Sequence, residues 1–330
     1  MGLTETIEWD TFYTATLRNF EPNLYKQFLK YRPTVEKLLD NYSLTDSKGG
    51  RTWQGIAEYG LSPTVKMFRG VDAFSQEVSE TMRPIRQDWV YAGGSVSMAV
   101  TEGLENSGAV ALADILETRV NQVLRSLNIL IGNEIFGDGT NYPEAGTIDG
   151  LKKLLAENST TSACGLDPAV YTWWQNNYRT SCGAFATNGP YGATQDYIMN
   201  MFNVCSDGDA DRPTFMTTDQ GFWEAYAKRI NATATGLVRY VKNDGTPDSA
   251  WRTLDFFGIP VIWDRQCPTG YNYLINTKYL RFRVDPRFNL KWTAPLSYPN
   301  QLMYTRIVGL RFFLNMTARM FHGVTSGWTY

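Results

Sequence analysis

The sequence predicts an α+β protein in which one long helix separates a strand-rich segment from a mixed helix–strand region and a closing set of strands. Three observations lead to this prediction. Apolar residues recur at helical spacing over residues 107–136. Residues 96–100 alternate as in a strand, and residues 278–330 are rich in aromatic strand formers. The 330 residues are enough for roughly two domains of about 150 residues each.

The first element is a helical arm. Residues 5–40 carry apolar positions at helical spacing, broken at Pro22 and Pro33, so the sequence predicts two short helices. The segment has few core-forming aliphatic residues for a domain of its own. We therefore expect it to pack against another surface.

The second element is a long hairpin. Residues 43–101 contain seven glycines between short mixed runs and few clustered Leu or Ile residues, so their strands cannot bury themselves. Exposed strands of this length invite aggregation unless a neighbouring surface covers them. We expect a protruding hairpin that needs a partner.

The third element is the long helix over residues 107–136, which would extend about 45 Å at 1.5 Å per residue. Gly137, Gly139 and Pro143 are expected to end it. A helix of this length indicates an elongated body. One face is apolar and contains Ala113, Leu116, Val120, Val123, Leu127, Leu130 and Ile135.

The fourth region, residues 144–277, has the pattern of a compact α/β domain. Predicted helices cover residues 148–157, 169–178 and 195–204. Predicted strands cover residues 214–217, 237–241, 251–257 and 259–263. Thr218 or Asp219 is expected to cap a further helix that begins after the strand at 214–217.

The charge of the chain is divided unevenly. The whole sequence has 31 Lys and Arg against 33 Asp and Glu, a net charge of −2, which argues against a dedicated nucleic-acid binder. Residues 278–330 contain eight Lys and Arg and one acid, Asp285, so this segment carries +7 and the other residues −9. The basic strands could contact phosphates, but we favour contact with an acidic surface of a neighbouring subunit in a ring.

The sequence contains no convincing catalytic constellation. His322 is the single histidine, so His-rich zinc sites are excluded and a His-based triad would depend on this residue. Cys164, Cys182, Cys205 and Cys267 form no CxxC pair and are expected to be buried free thiols. We predict no enzymatic activity, no cofactor and no metal.

An acidic run resembles the start of a calcium-binding loop, because Asp207, Asp209 and Asp211 alternate. Arg212 stands where that loop needs Gly, and Thr218 where it needs Glu, so we expect an acidic surface turn.

Membrane association is not expected either. The start MGLTETIEWD is polar and acidic, unlike a secretory signal, and the apolar stretches are far too short to span a bilayer.

The order of these parts resembles the major capsid proteins of tailed bacteriophages, which share the Hong Kong 97-type fold. The resemblance covers nearly the whole chain. It is supported by five short sequence motifs. They are Gly150-Leu151, Trp173-Trp174-Gln175-Asn176, Pro213-Thr214-Phe215-Met216-Thr217-Thr218, Phe257-Gly258-Ile259-Pro260-Val261 before Asp264, and Tyr273-Leu274-Ile275-Asn276 before Tyr279-Leu280.

The resemblance implies a role for each part. Residues 1–42 correspond to the N-terminal arm and residues 43–101 to the extended loop. Residues 102–140 and 278–330 correspond to the peripheral domain with its spine helix and sheet, and residues 141–277 to the axial domain. The implied function is self-assembly as hexamers and pentamers into an icosahedral shell around double-stranded DNA. The implied location is the virion, with assembly in the host cytoplasm.

The resemblance also implies partners. Only about 42 residues precede the loop, so a separate scaffolding protein is expected, together with a portal, DNA packaged without sequence specificity and a possible decoration protein. The expected contacts between subunits are Trp9, Phe12, Trp53, Tyr59, Phe68, Arg69, Phe74, Arg281, Arg283 and Arg287.

Some relatives join subunits by a Lys–Asn isopeptide bond. The available Lys48, Lys66, Asn289, Asn300 and Asn315 are residues too common to indicate one, and we predict no cross-link.

Two alternatives stay open. An encapsulin-type nanocompartment shell would have the same fold but would enclose cargo enzymes. A carbohydrate-active enzyme or lectin would be a compact monomer in which tryptophans stack on sugar rings. The tryptophans that motivate this second alternative are Trp173, Trp174, Trp223, Trp251 and Trp263.

Overall fold

The described residues of this computed structural model form two apolar cores, of which the first takes side chains from both large β-sheets and the second is built on the six-stranded sheet. The structure describes residues 32–40, 43–44, 50–60, 64–70, 80–99, 109–141, 148–190, 196–208, 211–233, 254–294, 296–297 and 303–330. Most of the expected arm, including the break at Pro22, and the expected strand at 237–241 lie outside these residues.

The helices of the described residues differ greatly in length. They are α1 (Pro33–Asp40), α2 (Ala109–Ile135), α3 (Leu151–Leu154), α4 (Phe185–Asn188), α5 (Tyr197–Val204) and α6 (Gln220–Thr233). The long helix predicted at 107–136 is confirmed as α2, and the helix predicted at 195–204 is confirmed as α5. The helix predicted at 148–157 is a single turn, α3.

The strands of the described residues are β1 (Ser43–Leu44), β2 (Thr52–Glu58), β3 (Met82–Asp88), β4 (Val90–Ala99), β5 (Asn177–Arg179), β6 (Gly183–Ala184), β7 (Phe215–Thr218), β8 (Leu254–Phe256), β9 (Ile259–Trp263), β10 (Asn272–Ile275), β11 (Leu280–Trp292), β12 (Leu296–Ser297), β13 (Met303–Met316), β14 (Gly323–Thr325) and β15 (Trp328–Thr329). The predicted strands at 214–217, 251–257 and 259–263 correspond to β7, β8 and β9.

The helix predicted at 169–178 is wrong. Asp167 caps one turn through its side chain, which accepts from the backbone N–H of Ala169 at 2.9 Å. A 3-10 turn follows at Thr172–Trp174, and β5 then pairs in parallel with β14. Burial of Trp174 in the core and the pairing of β5 override the local helical spacing.

The first sheet has five strands, in which β1 pairs with β11, and β11, β12 and β4 all pair with β13. The long helix α2 packs on β4, and a Cβ atom at Gly94 would lie 2.5 Å from Cγ1 of Val123. Glycine at this position therefore lets the helix approach the strand closely. Although the sequence predicts a protruding hairpin over 43–101, β4 is fully integrated in this sheet.

The second sheet has the order β5-β14-β10-β7-β9-β8. Helices α5 and α6 supply apolar side chains to its core, including Ile198, Phe222 and Tyr226. Asp219 caps α6, because its Oδ1 accepts from the backbone N–H of Phe222 at 3.3 Å, as the sequence predicts. The closing segment is shared between the sheets, since β11 and β13 belong to the first and β14 to the second.

The end of the expected arm packs on the chain's own body. Helix α1 begins at Pro33, and Val35 and Leu38 lie in the first core. The hydroxyls of Thr34 and Thr217 are 2.8 Å apart, which joins α1 to the second sheet. This part of the arm thus finds its surface within the same chain.

Candidate functional site

The single histidine is a structural residue. His322 is completely buried, and its Nδ1 accepts from the backbone N–H of Asn276 at 3.2 Å. Burial, helped by the nearby Arg319 charge, lowers the pKa of His322 to about 3. The ring therefore stays neutral near pH 7 and is not exposed to a substrate.

No metal centre with three or more protein ligands from His, Cys, Asp or Glu occurs among the described residues. The four cysteines are buried free thiols, as expected. Burial raises the pKa of Cys164 and Cys205 to about 12, so these thiols stay protonated and unreactive. Within the described ranges, no helix is long and apolar enough to cross a membrane.

Arg319 is a buried charged residue that donates hydrogen bonds within the chain. Its guanidinium is fully buried and donates to the carbonyl oxygens of Leu154, Thr161 and Trp174 at 2.8–3.2 Å, and to Oδ1 of Asn176 at 3.1 Å. None of these acceptors is a carboxylate. Burial lowers the pKa of Arg319 to about 10, which still leaves it charged at pH 7. Arg319 therefore ties the closing segment to residues 154–176.

Other basic residues of the closing segment are also paired within the chain. Arg311 donates to Asp285 Oδ2 at 2.8 Å, and Lys278 donates to Asp211 Oδ1 at 2.5 Å. Asp211 thus pairs with a lysine, in keeping with an acidic turn rather than a calcium loop. The +7 charge of residues 278–330 is consequently only partly available at the surface for a neighbouring subunit.

The hairpin of β2 and β3 packs against the rest of the chain on one face. Ala57 and Ile85 are completely buried, and the ring of Tyr59 stacks on Trp173 with centroids 4.4 Å apart. The backbone N–H of Arg86 donates to the carbonyl oxygen of Cys164 at 2.9 Å. This inner face is occupied by the chain itself.

The outer face and the far end of the same excursion expose large apolar side chains. We call this set the loop surface; it consists of Ile56, Val65, Met67, Phe68 and Met82. Val65 is 82% exposed and Met67 is fully exposed. Large apolar side chains exposed within one segment of the chain make this segment a candidate for contact with another protein.

The expected contact residues fall into three groups. Trp53 contacts Phe313 and Arg283 within the chain, and Tyr59 is held by Trp173, so their known contacts are internal. Phe68, Arg69 and Arg287 are exposed, whereas Arg281 and Arg283 are half-buried. Trp9, Phe12 and Phe74 lie outside the described residues.

Sequence reasoning missed part of the loop surface. Ile56 and Met82 lie on the outer face of the hairpin, in the alternating burial pattern of β2 and β3. The period-2 alternation around Ile56 is visible in the sequence and could have identified it. Val65 and Met67 lie outside strands, so periodicity gives no signal for them.

The tryptophans that motivated a sugar-binding site are packed into the protein. Trp174 is completely buried, with its Nε1 donating to the carbonyl oxygen of Ala163 at 3.1 Å. Trp173 lies between Tyr59 and Tyr171, and Trp223 packs against the second core. Trp251 lies outside the described residues. Trp263 on β9 is half-buried, whereas Trp173, Trp174 and Trp223 pack against other side chains of the chain.

The arrangement of these parts matches solved capsid structures. The capsid of cyanophage A-1(L) matches with a TM-score of 0.59 and 15% identity, over 87% of this chain and 90% of that chain. The procapsid of satellite phage P4 with its size determination protein matches with a TM-score of 0.52 and 7% identity, over 100% and 98%. The chain therefore has the Hong Kong 97-type fold of phage major capsid proteins, as the sequence predicts.

One further solved structure with the same fold is the SrpI encapsulin complex of Synechococcus elongatus. It matches with a TM-score of 0.50 and 9% identity, over 88% of this chain and 87% of that chain. No protein-family model and no curated protein sequence matches the chain.

Proposed function

We propose that this chain is a phage major capsid protein that assembles as hexamers and pentamers into an icosahedral shell around double-stranded DNA. The observation that carries the proposal is the match to phage capsid structures over 87% and 100% of the chain. The loop surface supports it, because exposed apolar side chains of this size are commonly covered by another protein chain.

The proposed role is structural and not enzymatic. The proposed location is the virion, with assembly in the host cytoplasm, and the proposed partners are further copies of the chain, a separate scaffolding protein, a portal, packaged DNA and a possible decoration protein. The buried, neutral His322 and the protonated buried thiols support the absence of catalysis. Asn315 is also completely buried on β13, which supports the prediction that it forms no cross-link.

Negative-stain electron microscopy of the expressed protein tests this function. Hexamers, sheets or closed shells are expected, in fractions that elute well above 37.4 kDa on size exclusion. A monodisperse 37.4 kDa species at all concentrations, with or without a scaffold, would contradict the proposal.

An encapsulin-type shell is a second candidate, because the match to the SrpI encapsulin covers 88% of the chain. The two functions differ in what the shell encloses. Particles purified from the native source should contain nuclease-protected DNA if the chain forms a phage capsid. Protected cargo enzyme in place of DNA would favour the encapsulin function.

A further inference from the structure

Strand β4 has one edge that no other described strand covers. Among the described strands it pairs with β13, and Ser95 lies opposite Ile307. Ile307 accepts from the backbone N–H of Thr293 at 2.9 Å and donates to the Thr293 hydroxyl at 3.0 Å, so its backbone groups point away from β4. In an antiparallel pair, two opposite residues both point their backbone groups inward or both point them outward. Ser95 and, two residues earlier, Gly93 therefore direct their N–H and C=O groups outward. Both residues are exposed, and we call this side the outer edge of β4.

The outer edge forms one wall of a groove of about 600 Å³, and helix α2 forms the other wall. Val123, Leu127 and Leu130 make its helix side apolar. Arg119, the charged residue among those that line the groove, donates to the carbonyl oxygen of Ser97 at 2.8 Å. Arg119 and Leu130 are about 16 Å apart along the helix. The groove therefore combines backbone donors and acceptors with an apolar side and a positive charge at one end.

These properties define what fits the groove. An extended segment can pair with a free sheet edge by strand addition. Its side chains alternate between two faces, so every second residue must be apolar to contact α2 while the others face water. An acidic residue at the Arg119 end would complement the charge.

The start of the expected arm has this pattern. Residues 3–10 alternate between one set, Leu3, Glu5, Ile7 and Trp9, and a second set that is entirely polar, Thr4, Thr6, Glu8 and Asp10. Residues 1–10 contain three acids and no Lys or Arg, so their charge is opposite to that of Arg119. These residues lie outside the part of the chain that the structure describes.

The first residue that the structure describes, Arg32, lies close to the Leu130 end of the groove. Its Nη1 is 3.9 Å from Oδ1 of Asp264, which also accepts from the backbone N–H of Gln266 at 3.1 Å. The side chain of Gln266 in turn donates to the carbonyl oxygen of Ile129, the neighbour of Leu130, at 2.9 Å. The chain that precedes Arg32 therefore starts from this end of the groove.

The reach and the direction of the chain both suit the groove. Residues 10–31 join Trp9 to Arg32 and can span up to about 70 Å, far more than the groove requires. A strand that enters from the Leu130 end brings Trp9 to the apolar side first. Glu5 then lies four residues further on, toward Arg119.

We propose that residues 3–9 of the same chain add to the outer edge of β4 as a strand, with Ile7 and Trp9 against α2 and Glu5 at Arg119. An uncovered strand edge can pair with another copy and lead to aggregation. The added strand covers this edge in the unassembled chain. The proposal goes beyond the proposed function, because it concerns a single chain before any shell forms.

Hydrogen exchange of the full-length, unassembled chain, measured with residue resolution, tests this proposal. The amides of Gly93 and Ser95 should exchange at least about tenfold more slowly in the unchanged chain than in Ile7→Glu. Thr6→Glu is the matched control, since it adds the same charge one residue away on the outward face, and it should keep the protection. The amide of Val96 points toward β13 and should stay protected in all three proteins, which shows that β4 itself is intact.

A charge exchange tests the contact between Glu5 and Arg119. Arg119→Glu should speed exchange at Gly93 and Ser95, and adding Glu5→Arg should restore part of the protection. If Arg119→Glu does not fold, Glu5→Arg alone should give the same loss, because it places two positive charges together.

Three results would overturn the proposal. The first is fast exchange at Gly93 and Ser95 in the unchanged chain, and the second is an equal loss of protection in Ile7→Glu and Thr6→Glu. The third is protection that rises with protein concentration or appears only after assembly, which would assign the outer edge to a second copy. Protection that is independent of concentration supports pairing within one chain.

Discussion

At the scale of single residues, the buried arginine explains how the closing segment is fixed in place. Arg319 offers its donors to three backbone carbonyls and one amide oxygen that lie far away in the sequence. These acceptors belong to turns and short elements, which have few regular hydrogen bonds of their own. The planar guanidinium of Arg319 therefore supplies hydrogen bonds that the backbone of a neighbouring strand would otherwise donate.

Replacing Arg319 should destabilise the protein strongly. Arg319→Met leaves four buried acceptors without donors, and we expect a loss of about 3–5 kcal/mol, with Arg319→Lys intermediate because its ammonium cannot reach all four. Thermal and urea unfolding measure the loss. Lys152→Met, which removes an exposed pair with Asp138 at 3.5 Å, is the control and should change stability by less than about 0.5 kcal/mol. A similar small change for Arg319→Met would show that the guanidinium is dispensable.

The buried histidine predicts a specific acid sensitivity. The folded pKa of His322 is lowered to about 3, below its unfolded value of 6.5, so only the unfolded chain takes up this proton between these values. Stability should therefore fall as the pH drops below 6.5, by about 1.4 kcal/mol per pH unit. His322→Asn keeps an acceptor for Asn276 and lacks this contribution. Unfolding of both proteins from pH 7 to pH 4 should give converging curves, whereas parallel curves would rule out a buried neutral histidine.

At the scale of elements, the contact between α2 and β4 sets how closely the long helix lies on its sheet. Gly94→Ala would place a methyl group against Val123, and we expect a loss of about 1–3 kcal/mol from overpacking. Gly94→Ala with Val123→Ala should recover part of that loss in a double-mutant cycle measured by urea unfolding. Gly60→Ala, where the nearest atom would be 3.5 Å away, is the control. Equal effects at both glycines would mean that the helix contact is not what Gly94 provides.

The elements differ in how far the sequence determines them. The helix α2 follows from its helical apolar periodicity, and the strands β7 and β9 from short runs of strand-forming residues. The structure of the segment 169–178 cannot be predicted from its own periodicity. Its strand β5 forms by pairing with β14, which lies far along the chain. The placing of Asp219 and Asp264 at one edge of the second sheet also could not be predicted, because it depends on the register of β7 and β9.

At the scale of the whole molecule, the order of parts carried more information than any single motif. The arm, loop, long helix, mixed domain and closing strands predicted the fold that the solved structures show. The net charge of residues 278–330 was less informative about subunit contacts. Arg319, Arg311 and Lys278 form their hydrogen bonds or ion pairs within the chain. Charge counted along a sequence cannot distinguish a core arginine from a surface one.

The loop surface makes a prediction about assembly. Val65→Glu together with Met67→Glu should abolish hexamers and shells while leaving the unfolding temperature of the unassembled chain unchanged, since both side chains are largely exposed. Electron microscopy and size exclusion measure the loss of assembly, and thermal unfolding measures the stability of the unassembled chain. Val204→Glu, a substitution of an exposed valine at the end of α5, is the control. Normal shells from the double variant would exclude the loop surface as an assembly contact.

The position of β14 has a consequence for biosynthesis. This strand lies between β5 and β10, although its residues, Gly323–Thr325, are made long after both of those strands. While the chain is still on the ribosome, the gap between β5 and β10 stays open and the second core stays incomplete. Folding of this half of the molecule must therefore wait until residue 325 has emerged. An interrupted chain lacks β14, so β5 has no strand to pair with and stays separated from β10.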